Sequence, residues 1–338
     1  SHPNSVAADI GAKTYAIDAA KRAVHDHMRD YYGIEVEVES TRAFPTIFQI
    51  KYPINGEPLI SIVIPNKDHV EDLRRCITSI EKKSTWKNYE IVVVENNSVE
   101  QSIRDYYKEL ESDPKVKIVT YEGGFNYSKI NNAGVKETKG EYLLFLNNDT
   151  EMIGSDCIKE MLSYCMREDV GAVGARMYYE DGTLQHGGVI IGLGGVAGHA
   201  FLGIDGDSPG YFARAQVIHD MSAVTAACMM MKKRVYEEVG GFDSKFAVAF
   251  NDVDLCLKIR KAGYLIVYDP YAELIHYESK SRGYEDTEEK IERFHGEVNL
   301  FQTRWKDFLK KGDPYYSPNL TLDHNDFGLN HLAKVERR

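Results

Sequence analysis

Asn147, Asn148 and Asp149 follow without a break on an apolar run, YLLFL, at residues 142–146. Amides and a carboxylate at the exit of a buried strand have two uses. They close a turn, because Asn and Asp bond their own backbone and tolerate left-handed conformations. Alternatively, at the carboxyl end of a parallel strand, their oxygens hold a metal ion or meet a phosphate. Two more apolar runs end in the same way, at Asn66, Lys67 and Asp68 and at Glu95, Asn96 and Asn97. Polar residues therefore converge three times on one expected edge, which favours a ligand site over a plain turn. Further along, NDVDLC sets Asp252 and Asp254 at the start of an amphipathic helix, where acids satisfy free backbone N–H groups. Lys280 and Arg282 lie beside Gly283, either as a flexible basic lid over a diphosphate or as a solvated charge run. His186 and His199 sit in Gly-rich segments, where they line a cleft or serve structure.

The elements that must position these residues alternate. LISIVIP (59–65), YEIVVVEN (89–96), KVKIVTY (115–121) and EYLLFLNND (141–149) read as strands. VEDLRRCITSIEKK (70–83), SIRDYYKELES (102–112) and SKINNAGVKET (128–138) read as the helices between them. Fully apolar strands separated by helices imply a parallel sheet covered on both faces, with ligands at the carboxyl ends of its strands. The second half changes texture. Residues 179–210 are rich in Gly with short apolar pieces, as expected for loops and small strands around a cleft. SAVTAACMMMKK predicts a buried strand, KRVYEEVGGF a short helix, and residues 251–264 a longer helix closed by Gly263. LIVYDP and AELIHYES predict two strands, and residues 287–312 one long helix ended by Gly312 and Pro314.

At the N-terminus, Ile17, Ala20, Val24, Met28 and Tyr31 recur at helical spacing, with Gly33 placed as a C-cap. IEVEVES predicts a short strand, and residues 39–58 read as a linker carrying Pro45, Pro53, Gly56 and Pro58. SHPNS at the start reads as a cloning remnant. The helix-strand unit is either what remains of an upstream domain or a self-association element. No internal repeat or low-complexity tract is evident.

The formal net charge of −11 argues against a general nucleic-acid or anionic-membrane binder, so phosphates handled here need a local cation. Five cysteines without CxxC spacing fit neither a disulfide framework nor a cysteine zinc site, and a reducing, cytoplasmic setting is expected. No stretch is long and apolar enough to span a membrane, and no signal-peptide pattern is visible.

LISIVIPNKD, YEIVVVENNS, INNAGVKETKGEYLLFLNNDTEM, VGGFDSKFAVAFNDVDLCLKIRKAGY and ELIHYESKSRGY, in this order, resemble the successive blocks of family 2 inverting glycosyltransferases. The resemblance covers about residues 59–320. TLQHGGV, GGVAGHA, SAVTAAC and DPYYSPNLTL are similar to a subgroup building bacterial surface polysaccharides, the rhamnosyl or galactosyl transferases. The implied fold is α/β of the GT-A type, a mostly parallel nucleotide-binding sheet flanked by helices and joined to a Gly-rich acceptor-binding half. The division expected is an N-terminal extension and linker at 1–57 and a GT-A domain at 58–320, followed by a tail at 321–338. Within the domain, 58–152 is the nucleotide-sugar half, 153–284 the acceptor and catalytic half, and 285–320 the C-terminal helix and tail.

The resemblance also implies roles. Asp149 stands at the last position of the Asp-X-Asp motif and Asn147 at the first, where an amide replaces the usual carboxylate. His276 matches the histidine that completes the metal site, for Mn²⁺ or Mg²⁺, with Mn²⁺ better suited to a mixed carboxylate and imidazole set. Asp252 matches the catalytic aspartate that deprotonates the acceptor hydroxyl. Glu95 and Asn96 align with an acidic pair set against ribose and uracil, and an amide still pairs with a pyrimidine imide edge. Asp68 is a further nucleoside candidate or a helix N-cap, and Pro65, Asn132 and Asn147 join Lys280 and Arg282 on the donor side. His186, His199 and Asn251 are candidates for the acceptor cleft.

The implied reaction is metal-dependent inverting transfer from a UDP- or dTDP-sugar to a growing glycan, lipid- or protein-linked, at the inner face of the membrane or in the cytoplasm. Peripheral membrane association and homo-oligomers are compatible with it; nucleic acid is not a partner. Two alternatives differ in class. A sugar-nucleotide pyrophosphorylase needs a Gly-rich, basic signature after the first strand, and IPNKDHVEDL lacks one. A non-catalytic glycan- or nucleotide-binding subunit would have lost the base, and Asp252 is present.

Overall fold

The computed structural model describes residues 14–278 and 287–330. Lys280 and Arg282 lie outside them. Helix α1 (Thr14–Tyr32) buries only Met28 and ends as its spacing predicts: Gly33 takes φ +70° and donates to the Arg29 carbonyl at 3.0 Å. The expected strand is β1 (Glu37–Ser40). Part of the expected linker is itself a strand, β2 (Phe48–Lys51), paired antiparallel with β1. A four-residue strand between prolines shows too few alternations to be read from sequence.

Beyond it runs the alternation. Its parallel part comprises β3 (Ile60–Asn66), α2 (Val70–Lys83), β4 (Tyr89–Glu95), α3 (Gln101–Leu110), β5 (Val116–Thr120), α4 (Tyr127–Lys136) and β6 (Tyr142–Leu146). These four strands are parallel, in the spatial order β5-β4-β3-β6. Then follow β7 (Thr150–Met152), α5 (Cys157–Cys165), β8 (Val170–Tyr178) and three short strands, β9 (Leu184–His186), β10 (Val189–Ile191) and β11 (Ala197–His199). The remainder is β12 (His219–Met221), β13 (Cys228–Lys232), α6 (Lys233–Glu238), α7 (Asn251–Lys261), β14 (Leu265–His276), α8 (Glu288–Arg304) and α9 (Lys306–Lys311).

The sheet continues past β6 through β13, β8, β14 and β12, with β13 and β12 antiparallel to their neighbours. Alternate strand residues feed two cores. Val63, Val92, Leu143 and Phe145 face one, with α4, α6 and α7; Ile62, Val93, Leu144 and Leu146 face the other, with α2, α3 and α5. At Gly134 a Cβ would come within 2.6 Å of Val94 and 2.7 Å of Val63, so only glycine lets α4 lie this close to the sheet.

Two expected elements differ. LIVYDP and AELIHYES are one strand, β14, whose register against β8 shifts between Asp269 and Glu273, where Pro270 cannot donate to the ladder. The long C-terminal helix breaks at Trp305, whose indole N–H reaches back to buried Asp254 at 2.9 Å.

Candidate active site

Asn147, Asn148 and Asp149 leave β6 at its carboxyl end and turn directly into β7. That hairpin-sized strand pairs antiparallel with the end of β14, setting Thr150 opposite His276, and the Tyr277 N–H closes the pair on the Asp149 carbonyl at 2.8 Å. His276 Nε2 therefore lies 3.2 Å from Asp149 Oδ1 and 3.3 Å from Asn147 Nδ2. Both Asp149 and His276 are buried. Among the described residues Asp149 Oδ1 has no properly directed hydrogen bond. Burial raises the Asp149 carboxyl, but His276 beside it outweighs that and holds it below its ordinary value. The turn is backed by Cys76, whose Sγ lies 3.6 Å from the Asn147 carbonyl; burial pushes this thiol up to about 12, so it stays a neutral donor.

These atoms fit a divalent cation. A buried carboxylate oxygen without a hydrogen bond faces an imidazole nitrogen, and the Asn147 amide can turn its oxygen inward by exchanging places with its nitrogen. Among the described residues no three His, Cys, Asp or Glu side chains cluster as a metal cage. The set is thus two strong ligands and one amide, leaving room for oxygens from a ligand.

Asp252 stands one residue inside α7. The helix is entered through Phe250 in a left-handed conformation, φ +60°. Asp252 Oδ2 accepts from the Ala226 N–H at 3.1 Å, and Oδ1 from the Val253 N–H at 2.8 Å. The next residue on, Ala227, accepts the Asn147 N–H at 3.0 Å through its carbonyl. Tyr127 closes the other side: its hydroxyl donates to the Ala226 carbonyl at 3.0 Å and lies 3.4 Å from Asn147 Oδ1. Burial, reinforced by the Asp252 charge, raises the Tyr127 phenol and keeps it protonated. A two-residue piece of backbone thus separates Asp252 from the Asn147, Asp149 and His276 group.

At the carboxyl edge of the sheet a hydrogen-bond chain crosses three strand ends. Asn148 Nδ2 donates to Asn66 Oδ1 at 2.6 Å, Asn66 Nδ2 to the Tyr107 hydroxyl at 2.7 Å, and that hydroxyl to Glu95 Oε2 at 2.6 Å. Asn66 and Asn148 were singled out only as polar strand ends and Tyr107 not at all, yet they hold the residues given roles. Glu95 also accepts from the Ser98 N–H and hydroxyl, both at 2.5 Å. Asp68 is no cap for α2, whose N-cap is His69. Its Oδ1 instead takes the Val99 and Glu100 amides at 2.7 and 2.9 Å, ahead of α3. Pro65 and Asn66 close β3 beside it.

Three predicted residues are occupied otherwise. Asn96 spends both amide protons on the Tyr121 and Gly123 carbonyls, at 3.0 and 2.8 Å, so only its oxygen remains for a base. Asn132 binds the Phe242 carbonyl at 2.8 Å and the Tyr236 hydroxyl, latching α4 to the turn after α6 rather than reaching a ligand. Asn251 donates to the Val248 carbonyl at 2.6 Å and is buried within its own loop. His186 and His199 do meet, Nδ1 to Nδ1 at 2.8 Å. His199 is half-buried, and burial lowers its imidazole against the opposing pull of the Asp252 and Glu278 carboxylates.

Glu297 carries no motif and holds the loop that aims Asp252. On α8 and 4% exposed, it accepts the Ala247, Val248 and Ala249 amides at 2.6, 2.9 and 3.1 Å. Arg304, next to Trp305, pairs with buried Asp254 at 2.8 Å and fixes the body of α7.

An uncharacterized protein from Sinorhizobium fredii is 45% identical over 97% of this chain and 36% of its own length. The O-antigen biosynthesis protein RfbC of Myxococcus xanthus is 35% identical over 93% of the chain and 24% of its own length. The chain therefore spans about a third and a quarter of these relatives. Among solved structures, the mannosyltransferase PcManGT from Pyrobaculum calidifontis, in complex with GDP-Man and Mn²⁺, covers 88% of the chain and 78% of its own at 14% identity, with a TM-score of 0.54. GalNAc-T7 with UDP, GalNAc and Mn²⁺ covers 76% and 50% at 15% identity, with a TM-score of 0.59. At such identities the likeness is one of fold, and the fold is that of GT-A glycosyltransferases. Residues 61–240 match the family described as Glycosyl transferase family 2, and the chain belongs to that family.

Proposed function

We propose that this chain transfers a sugar from a pyrimidine nucleotide diphosphate donor to a hydroxyl of a growing surface glycan, with inversion at the anomeric carbon. The observation that carries the reading is the Ala226–Ala227 segment, which binds Asp252 on one side and Asn147 on the other. It sets a carboxylate able to take a proton beside a cation-binding group, as displacement of a diphosphate requires. Asp252 accepts the acceptor's hydroxyl proton as that oxygen attacks the anomeric carbon, and the electron pair of the breaking C–O bond leaves with the diphosphate. Asp149, His276 and Asn147 would hold Mn²⁺ or Mg²⁺, which when bound supplies positive charge opposite the departing diphosphate. Glu95, Asp68 and the Asn96 oxygen form the nucleoside side, and Lys280 and Arg282 are proposed to meet the diphosphate.

Surface polysaccharide as the product class is supported by the RfbC relative, and Mn²⁺ by both solved neighbours. The neighbours' donors differ in base, so fold alone does not choose the nucleotide. We place the reaction on the cytoplasmic side, the acceptor being lipid- or protein-linked; no described helix is long and apolar enough to cross a membrane. The test is incubation with a panel of UDP-, dTDP-, GDP- and ADP-sugars and Mn²⁺, with released nucleotide diphosphate measured. Release from uridine or thymidine donors is expected. Release from purine donors alone would overturn the Glu95 and Asn96 assignment.

A further inference from the structure

The spine of the site carries a second grip. While the Ala226 N–H donates to Asp252, the preceding amide, Thr225 N–H, points at His186 Nε2 at 3.4 Å. His186 is fully buried, and burial, helped by His199 and His276, drives its imidazole well below the ordinary value. A neutral ring has one N–H. Because Nε2 faces an amide donor, the proton sits on Nδ1, and Nδ1 lies 2.8 Å from His199 Nδ1. His199 Nδ1 must then accept, so the proton of neutral His199 is on Nε2, the outer nitrogen of a half-buried ring. His199 closes the β10–β11 hairpin on the acceptor half, where Asp252 and Glu278 favour its cation, yet burial wins and its imidazole is also lowered. The result is a fixed, uncharged N–H joined to Asp252 through His186 and the Thr225–Ala226 backbone.

We propose that this N–H of His199 orients the acceptor sugar, donating to one of its hydroxyls next to Asp252, with His186 as the positioning residue that sets the tautomer. The inference rests on the transferase reading. An uncharged donor suits a neutral hydroxyl, whereas a diphosphate calls for cations. A second N–H joined to the base in this way also limits how the acceptor ring can turn, and so which hydroxyl meets Asp252.

The test has two parts. Nitrogen-15 spectra of the histidines, assigned with His199→Gln, should show His186 protonated at Nδ1 and His199 at Nε2. A panel of p-nitrophenyl glycosides is then titrated into the chain saturated with UDP and Mn²⁺, which needs no turnover. His199→Phe should weaken the best glycoside about five- to tenfold, the worth of one neutral hydrogen bond, while His199→Gln, whose terminal amide nitrogen replaces Nε2, stays within about twofold. UDP affinity should be unchanged in both. An Nδ1–H tautomer at His199, no glycoside binding, unchanged glycoside affinity in His199→Phe, or a loss of UDP affinity each overturns the proposal. Glycoside binding through His199 without turnover of any sugar nucleotide would instead sink the transferase reading and leave the His199 site standing.

Discussion

His276 Nε2 faces Asp149 Oδ1 at 3.2 Å because β14 ends as the antiparallel partner of β7. The carboxylate follows the end of β6 and the imidazole ends a twelve-residue strand. Two backbone contacts, the Thr150–His276 pair and the Tyr277 N–H on the Asp149 carbonyl, fix the separation independently of the side chains. Losing either side chain should therefore spare the fold.

Asp149→Ala or His276→Ala is accordingly expected to abolish the Mn²⁺-dependent part of UDP binding while thermal unfolding stays cooperative. An acidic chain has little else described here to set against a diphosphate. Asn147→Asp should tighten metal binding, since a charge attracts a cation more strongly than an amide dipole does. Calorimetry of UDP with Mn²⁺ and with EDTA checks all three variants. Equal affinity in both conditions would return Asn147, Asn148 and Asp149 to the status of a polar turn.

Asp252→Asn should keep UDP affinity and lower transfer about a hundredfold or more, because the amide cannot take the proton. Its oxygen can still accept the Ala226 N–H, so the Ala226–Ala227 segment stays in place. Single-turnover rates beside nucleotide affinities separate the two effects. Near wild-type transfer would remove Asp252 from the chemistry.

The strands β3, β4 and β6 were legible because each is an apolar run closed by polar residues, and the sheet then has one edge where those closures can meet. The family blocks added His276 and Asp252. What stayed hidden is non-local or counter to local pattern. Nothing near Asn132 signals that its amide is taken by Phe242, and the bulge at Pro270 made one strand look like two. Glu297 left one trace, a carboxylate on the stripe of Phe294, Val298 and Phe301, where helical spacing calls for an apolar side chain.

That residue gives a third prediction. Glu297→Ala strands three half-buried amides and should cost roughly 2–4 kcal/mol of stability, by the usual penalty for unmade hydrogen bonds. Glu297→Gln keeps an acceptor for Ala247 and Val248 and should cost less. In both, transfer should slow more than UDP affinity falls, because the 247–250 loop aims Asp252 and does not touch the nucleoside side. Urea unfolding with paired rate and affinity measurements checks this. A loss of UDP affinity equal to the loss of rate would show that Glu297 acts through something other than Asp252.

Asp269, at the bulge of β14, carries the pH dependence. It is fully buried, with Oδ1 bound to the Tyr271 N–H at 2.9 Å and Oδ2 without a well-formed hydrogen bond among the described residues. Burial, with Glu160 adding like charge, pushes its carboxyl up to about 7. The folded chain thus holds a proton that the unfolded chain gives up near the ordinary value of 3.8. Stability linked to this proton is complete below that value and is lost as pH rises toward about 7, after which the loss is constant. Asp269→Asn mimics the protonated side chain at every pH and keeps the bond to Tyr271. It should match the wild type near pH 4 and be the more stable of the two near pH 8, by up to about 4 kcal/mol for a shift of this size. Urea unfolding of both proteins at the two pH values is the measurement. The same stability difference at both would mean that folding does not raise the Asp269 carboxyl.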